Sequence, residues 1–302
     1  MTGEFPPAYD SLLVPQSALF STMNVATYAA AQLLRVLPRA RITRAVGRLV
    51  DAEPHPAILS TVVALYSRAY QVDLDEAEPQ PGGFPSFDAF FTRALRDGAR
   101  PTDAPDDAFV SPADGRVEAI GPVERDGRIL VKGKPYTCAD LVGDTDDARR
   151  YEGGQFAVVY LSPRDYHRVH TPVAGVVRTI RSMEGDYYPV NAIGERHIRG
   201  LFARNRRVAI PIDTEAHGRV TVVMVSAMIV GRVSVTGIDA RDVPIGLHTL
   251  SPELTLRRGD EIGIFHLGST AVVFVEPGAW PSFTLPPGKV RVGETFCPNG
   301  AR

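Results

Sequence analysis

The chain has 302 residues, 44% of them hydrophobic and 23% charged, with a formal net charge of −2. That is an ordinary globular balance, long enough for one large domain or a domain with an appendage, and it offers no basic field for nucleic acid. Cys138 and Cys297 imply neither a disulfide framework nor a Cys-x-x-Cys metal signature, so no metal is expected and a reducing compartment is the simpler setting.

Residues 1–16 read as a loose lead. No run reaches the roughly 18 uninterrupted apolar residues of a spanning helix. The best candidate, Ala18 to Leu37, is broken by Ser21, Thr22, Asn24, Gln32 and Arg35. Glu4 and Asp10 are the only charges before it, so a cleaved signal peptide is not expected. From about 17 to 50 the pattern is helical, interrupted at Pro38, with Arg35, Arg39, Arg41, Arg44 and Arg48 set among apolar residues. Pro54 and Pro56 break it again before a second helical run, Ala57 to Tyr70. A basic amphipathic stretch of this kind suits either an anionic membrane surface or a helix packed on its own domain.

Residues 75–85 form a Pro/Gly-rich break, and Ser86 then caps a short helix carrying Phe87, Phe90 and Phe91. Beyond Pro101 the chain turns to short valine-rich strands. The candidates are 115–120, 128–131, 156–161, 175–181, 207–211, 220–225, 228–235, 261–265 and 271–275. The expected fold is α+β: N-terminal amphipathic helices, residues 1–75, followed by a mainly antiparallel, two-sheet, sandwich-like domain over 76–302. Residues 144–155 and 237–257 show no regular pattern, and the tail after Pro277 reads as loop.

The segment Gly263-Ile264-Phe265-His266-Leu267-Gly268-Ser269-Thr270 ends one apolar strand and leads into another, Ala271 to Val275. A hydroxyl beside a glycine carbonyl can attack that carbonyl when the backbone is bent and a base is near. The Gly268–Ser269 peptide then becomes an ester; elimination expels the Gly268 carboxylate and leaves dehydroalanine, whose imine form is hydrolysed by water to a pyruvoyl group at residue 269, releasing ammonia. Glycine suits the step because no side chain blocks the approach. By itself, Gly-Ser-Thr is usually an ordinary strand end. His266 lies two residues before Gly268; on a strand it shares that residue's face, and a partly exposed strand position is its simplest role.

Upstream, Ser162-Pro163-Arg164-Asp165 looks like a helix start, which would place His167 and His170 on one turn. A lone histidine pair is short of the three or four ligands of a metal site. Asp114, in Ala113-Asp114-Gly115, reads by itself as a turn residue.

Together these motifs resemble the phosphatidylserine decarboxylase family. The resemblance rests on Ser111 to Val117, Tyr160 to Pro172, Gly185 to Asn191, Leu201 to Asn205 and Gly259 to Thr270. It begins as early as Tyr70 to Asp73 and Phe87 to Arg93, and covers about 57–276. It implies a self-processing enzyme in which Ser269 becomes the pyruvoyl cofactor and the chain divides into fragments 1–268 and 269–302. It implies a trio of Asp114, His170 and Ser269, in which the carboxylate orients the imidazole and the imidazole takes the serine proton. The substrate implied is phosphatidylserine, held as a Schiff base while carbon dioxide leaves and the pyruvoyl carbonyl serves as electron sink. His170 or His167 then returns a proton, and His167 is also placed to contact the lipid phosphate. The resemblance further implies a peripheral protein on the cytoplasmic face of the cell membrane, bound to anionic lipid, with a homo-oligomer left open. Two other readings fit parts of the pattern: a pyruvoyl decarboxylase of a soluble amino acid, and a non-catalytic β-sandwich module.

Overall fold

A computed structural model describes residues 37–101, 104–105, 107–190, 197–229 and 231–296. The expected lead and helical segment before Leu37, Asn191 and Cys297 lie outside the described residues. A compact unit runs from Pro38 onward.

Pro38 starts α1 (Arg39–Asp51), and Pro56 occupies the first turn of α2 (Pro56–Tyr70), where its missing N–H costs nothing. A third helix, α3 (Phe87–Phe91), is capped as expected: the Ser86 side chain accepts from the Ala89 amide at 3.1 Å. Strands β1 (Gly115–Pro122), β2 (Arg128–Val131) and β3 (Lys134–Thr137) follow. Helix α4 (Cys138–Val142) comes next, and α5 (Thr145–Arg149) falls within 144–155, a segment that shows no pattern in the sequence. Then come β4 (Gln155–Leu161), β5 (Arg168–His170), β6 (Gly175–Met183), α6 (Leu201–Arg204), β7 (Arg207–Asp213), β8 (Arg219–Val225) and β9 (Arg232–Val235). The last strands are β10 (Gly246–Leu256), β11 (Glu261–His266), β12 (Ser269–Val275) and β13 (Gly288–Val290).

Eight strands form one antiparallel sheet in the order β10-β6-β7-β8-β12-β4-β1-β13, and β5-β11-β9 form a second, smaller one. β2 and β3 make a separate hairpin whose turn residues, Lys132 (φ 50°) and Gly133 (φ 73°), are both left-handed, as a tight two-residue turn requires. The central strands β4, β12 and β8 are buried along almost their whole length. That explains their continuous valine runs in place of polar alternation, since each fully buried Val or Phe contributes about 1.5–3 kcal/mol. The fold is thus α+β with mainly antiparallel sheets, as expected.

Three further local expectations fail. The expected strand 228–235 begins only at Arg232, because Met228 and Ile229 form a turn. The irregular segment 237–257 holds β10, an edge strand that tolerates Pro252 because one side needs no ladder bond. Ser162–Tyr166 makes a single turn and no helix. Asp165 closes that turn by accepting from both the amide and the hydroxyl of Ser162, at 2.7 and 2.6 Å. The chain then extends as β5, because the open edge of β11 offers it a strand partner.

Candidate active site

The residues singled out in the sequence converge around the end of β4. Arg116 of β1 and Thr270 of β12 both pair with Tyr160, and Ser269 pairs with Leu161. The Asp114 segment and the strand headed by Ser269 therefore flank β4 from opposite sides. His170 is tied to the same corner, its amide donating to the Pro112 carbonyl at 2.7 Å.

At Leu267–Gly268 the chain leaves the three-stranded sheet and enters the eight-stranded one within two residues. Both are left-handed, Leu267 at φ 83° and Gly268 at φ 66°. Glycine adopts this freely, whereas a non-glycine residue pays about 1–2 kcal/mol. The bend thus falls on the peptides immediately before Ser269. A methyl group on Gly268 would stand 3.4 Å from His167 Cε1, so the imidazole lies directly against the junction.

His167 is fully buried and stacked on Phe91, with ring centroids 4.0 Å apart. Phe91 comes from α3, which is docked on α2 through edge-on contacts of Tyr66 with Phe87, Phe90 and Phe91. Neither ring nitrogen of His167 has a hydrogen-bond partner, although the Ser162 backbone approaches. Burial, aided by the charge of Arg93, pulls its pKa down to about 3. His167 is therefore a neutral imidazole at physiological pH, with its Cε1 edge toward Gly268.

Asp114 and His170 are engaged elsewhere. The Asp114 carboxylate accepts three bonds from Arg100, two from Nε and one from Nη2, and one from the Val292 amide at 2.8 Å; Arg100 also binds Glu76. His170 donates Nδ1–H to the Gly259 carbonyl at 2.8 Å, and its Nε2 accepts from the Tyr166 hydroxyl at 3.0 Å. Burial depresses the His170 pKa, and the Gly259 bond opposes it. The two side chains share a neighbourhood around Tyr166. No hydrogen bond joins them among the described residues, and His170 pairs opposite Glu261, at the far end of β11 from Gly268.

Sequence reasoning missed Asp88, Tyr166 and Arg93, and it took His266 for a partly exposed strand residue. His266 is buried, its Nδ1 donating to Asp88 at 2.9 Å and its Nε2 lying 3.2 Å from Ser234 Oγ. Burial would raise the Asp88 pKa. The bond from His266, with Arg241 and Arg232 nearby, outweighs that and holds it below the usual carboxylate range. No spacing rule links Asp88 to His266, so only the fold reveals the pair.

An apolar cavity of about 370 Å³ opens at this junction, lined by Val46, Val50, Tyr70, Phe91, Leu267 and Gly268 among others. Beside it lies a polar cavity of about 280 Å³. Neighbouring residues face the two, Tyr70 and Pro163 the apolar one, Gln71 and Arg164 the polar one.

A buried imidazole thus lies against a left-handed bend that precedes Ser269, on an α+β frame of mainly antiparallel sheets. The sequence model described as phosphatidylserine decarboxylase matches residues 87–297. The chain is 38% identical over 270 residues to the phosphatidylserine decarboxylase proenzyme of Marinobacter nauticus, covering 86% of this chain and 94% of that one. It is 37% identical over 276 residues to the proenzyme of the same name from Shewanella sp. (strain ANA-3), covering 87% and 94%. For the Shewanella putrefaciens proenzyme the figures are 38% over 259 residues, covering 82% and 89%. The chain belongs to the phosphatidylserine decarboxylase family.

Proposed function

We propose that this chain is a proenzyme that cuts itself between Gly268 and Ser269 and then decarboxylates phosphatidylserine to phosphatidylethanolamine, a carboxy-lyase reaction. The observation that carries the self-cutting is the neutral, unpartnered His167 against the left-handed Leu267–Gly268 bend.

In this reading the Ser269 hydroxyl attacks the Gly268 carbonyl and the amide becomes an ester. Loss of the serine α-proton then expels the Gly268 carboxylate, ending fragment 1–268. A neutral imidazole beside the bond is suited to accept the hydroxyl proton. The geometry favours His167 for that role. The alternative trio of Asp114, His170 and Ser269 requires the His170 ring to leave Gly259 and Tyr166. The residues fit a pyruvoyl group at Ser269, since the bend needed to make it is built in; such a group supplies an electron-withdrawing carbonyl that stabilises the carbanion of decarboxylation. His167, shielded from water, is placed to hold the proton that replaces the lost carboxylate. The apolar cavity is suited to lipid rather than to a free amino acid, which disfavours the soluble-substrate reading.

Residues 1–75 are proposed as the membrane-associating part and 76–302 as the catalytic part, on the cytoplasmic face of the membrane. No helix among the described residues is long and apolar enough to cross a membrane. Helix α2 is apolar on two sides: Leu59 and Val63 face the core, while Ile58, Val62 and Leu65 are exposed. Leu49 of α1 is 73% exposed, and Arg41, Arg44 and Arg48 are exposed on the same helix. Apolar side chains among arginines suit an anionic lipid surface.

Intact mass spectrometry of the wild type beside Ser269→Ala tests the first step. Two fragments in the wild type, the smaller beginning with a pyruvoyl-blocked residue 269, and one uncut chain in the variant are expected. Carbon dioxide release from phosphatidylserine, against free serine, tests the second. An intact wild-type chain after long incubation contradicts the proposal.

A further inference from the structure

Four arginines of the described body are more than nine-tenths buried: Arg39, Arg93, Arg206 and Arg207. Three are well satisfied. Arg39 pairs with Asp186 at 2.5 Å, Arg206 binds Asp242 and two carbonyls, and Arg207 donates to four backbone carbonyls. Arg93 has no such shell. Its Nε is unpartnered, and its one hydrogen bond among the described residues is a long one, 3.4 Å to the Arg164 carbonyl. Its other neighbour is the Phe90 ring, 5.7 Å away. A buried guanidinium without a bonded anion is costly. Among the described residues no carboxylate bonds to it, and Asp114 and Asp73 act on its charge only from a distance.

Arg93 lines the polar cavity beside the active site. Four carboxylates line that wall and each is engaged: Asp114 and Glu76 with Arg100, Asp165 with Ser162, and Asp73 with the Asp75 amide. Arg100, Arg164, Lys289 and Arg291 also line it. The cavity therefore combines acids that are already hydrogen-bonded with one buried guanidinium that bonds no carboxylate. Arg93 is near enough for its charge to act on His167, which touches Gly268.

We propose that Arg93 is the binding residue for a phosphate-class anion, and, resting on the decarboxylase reading, that this anion is the phosphodiester of the lipid headgroup. The guanidinium fork matches two phosphate oxygens at once. The substrate carboxylate is the poorer choice, because it loses its charge as carbon dioxide leaves. A cation holding it would stabilise the ground state more than the transition state. The phosphodiester keeps its charge throughout, so the apolar cavity would take the glyceryl and acyl part and the polar cavity the phosphate.

The test uses Arg93→Gln and Arg93→Lys in the full chain. Both variants are expected to cut themselves. Arg93→Gln should raise KM for phosphatidylserine about tenfold or more with a smaller change in kcat, and Arg93→Lys should recover part of the loss. The wild type should use glycerophosphoserine better than serine, and Arg93→Gln should lose that preference. Calorimetric titration with inorganic phosphate gives a readout independent of catalysis. Binding by the wild type and not by Arg93→Gln supports the site even if no lipid is decarboxylated, which would sink the decarboxylase reading alone. A KM effect without phosphate binding assigns the site to the lipid headgroup only. Equal KM and equal phosphate behaviour in wild type and both variants overturns the proposal. Arg93→Gln should melt no lower than wild type, since it removes an unpaired buried charge; if it fails to fold, Arg93→Lys carries the same comparison.

Discussion

His266 donates its Nδ1 proton to the Asp88 carboxylate at 2.9 Å, joining residues 178 positions apart. The bond fastens the last residue of β11 to α3, and the left-handed Leu267–Gly268 bend begins at the next residue. Arg241 and Arg232 reach the same carboxylate, so the buried Asp88 is the hub of a charge cluster that extends to the surface at Arg241. The bend is thereby held on both sides, by β12 in the large sheet and by this clamp.

Asp88→Asn should destabilise the protein by about 3 kcal/mol at pH 7, the scale for breaking a buried ion pair on one side. The pH dependence has a definite sign. The folded-state pKa of Asp88 is depressed, so its contribution is present above the unfolded-state value, about 3.9, and lost as pH falls through the depressed value. Urea denaturation of wild type and variant from pH 7 downward should show the gap closing at the acid end. A gap constant with pH would remove Asp88 ionisation from the account.

His167 contributes an acid limb of the other kind. Its pKa is about 3 in the folded chain and near 6.5 when unfolded, so the unfolded state binds the extra proton between those values. Stability should therefore fall from about pH 6.5 downward and level off below about 3. His167→Phe keeps an aromatic stack on Phe91 and removes the titration. Its stability curve should be flatter than wild type across that window, by up to a few kcal/mol at the acid end. Parallel curves would mean that the imidazole is open to water.

Much of this was legible in the sequence, for physical reasons that differ by element. The buried central strands announced themselves because burial on both faces demands continuous apolar runs, as in Gln155–Leu161 and Ser269–Val275. β10 did not, because an edge strand with Pro252 and mostly exposed side chains carries no such demand. The His167–His170 turn was misjudged because Ser-Pro-Arg-Asp is a valid helix start. What ended it was the open edge of β11, a tertiary fact absent from local sequence. The Gly268–Ser269 junction was found from its chemistry, whereas its left-handed bend and its contact with His167 depend on two sheets meeting there.

The exposed side of α2 sets up a membrane prediction. Replacing Ile58, Val62 and Leu65 together by Ser should weaken sedimentation with anionic vesicles by about a hundredfold, if each loses about 1 kcal/mol of apolar burial. Self-cutting, proposed as a step within one chain, should proceed at the wild-type rate. Unchanged vesicle binding would mean that another segment covers this face, or that a different surface meets the lipid.

The assignment of the serine proton separates two histidines that the sequence places side by side. His167 lies against the Gly268–Ser269 junction with no side-chain partner on either nitrogen, while His170 spends both on Gly259 and Tyr166. His167→Gln should therefore leave the chain uncut or slow cutting by about 10²–10⁴-fold, the usual value of a positioned base. His170→Gln should still cut, since it removes an imidazole from the far end of β11. The cutting rate of the wild type should stay level from pH 8 to about pH 5, because an imidazole with a pKa of about 3 remains neutral throughout. The measurement is a gel time course of freshly made chain at several pH values. If His170→Gln abolishes cutting and His167→Gln spares it, the proton belongs to the Asp114–His170 pair. The His170 ring must then break from Gly259 before Ser269 can react.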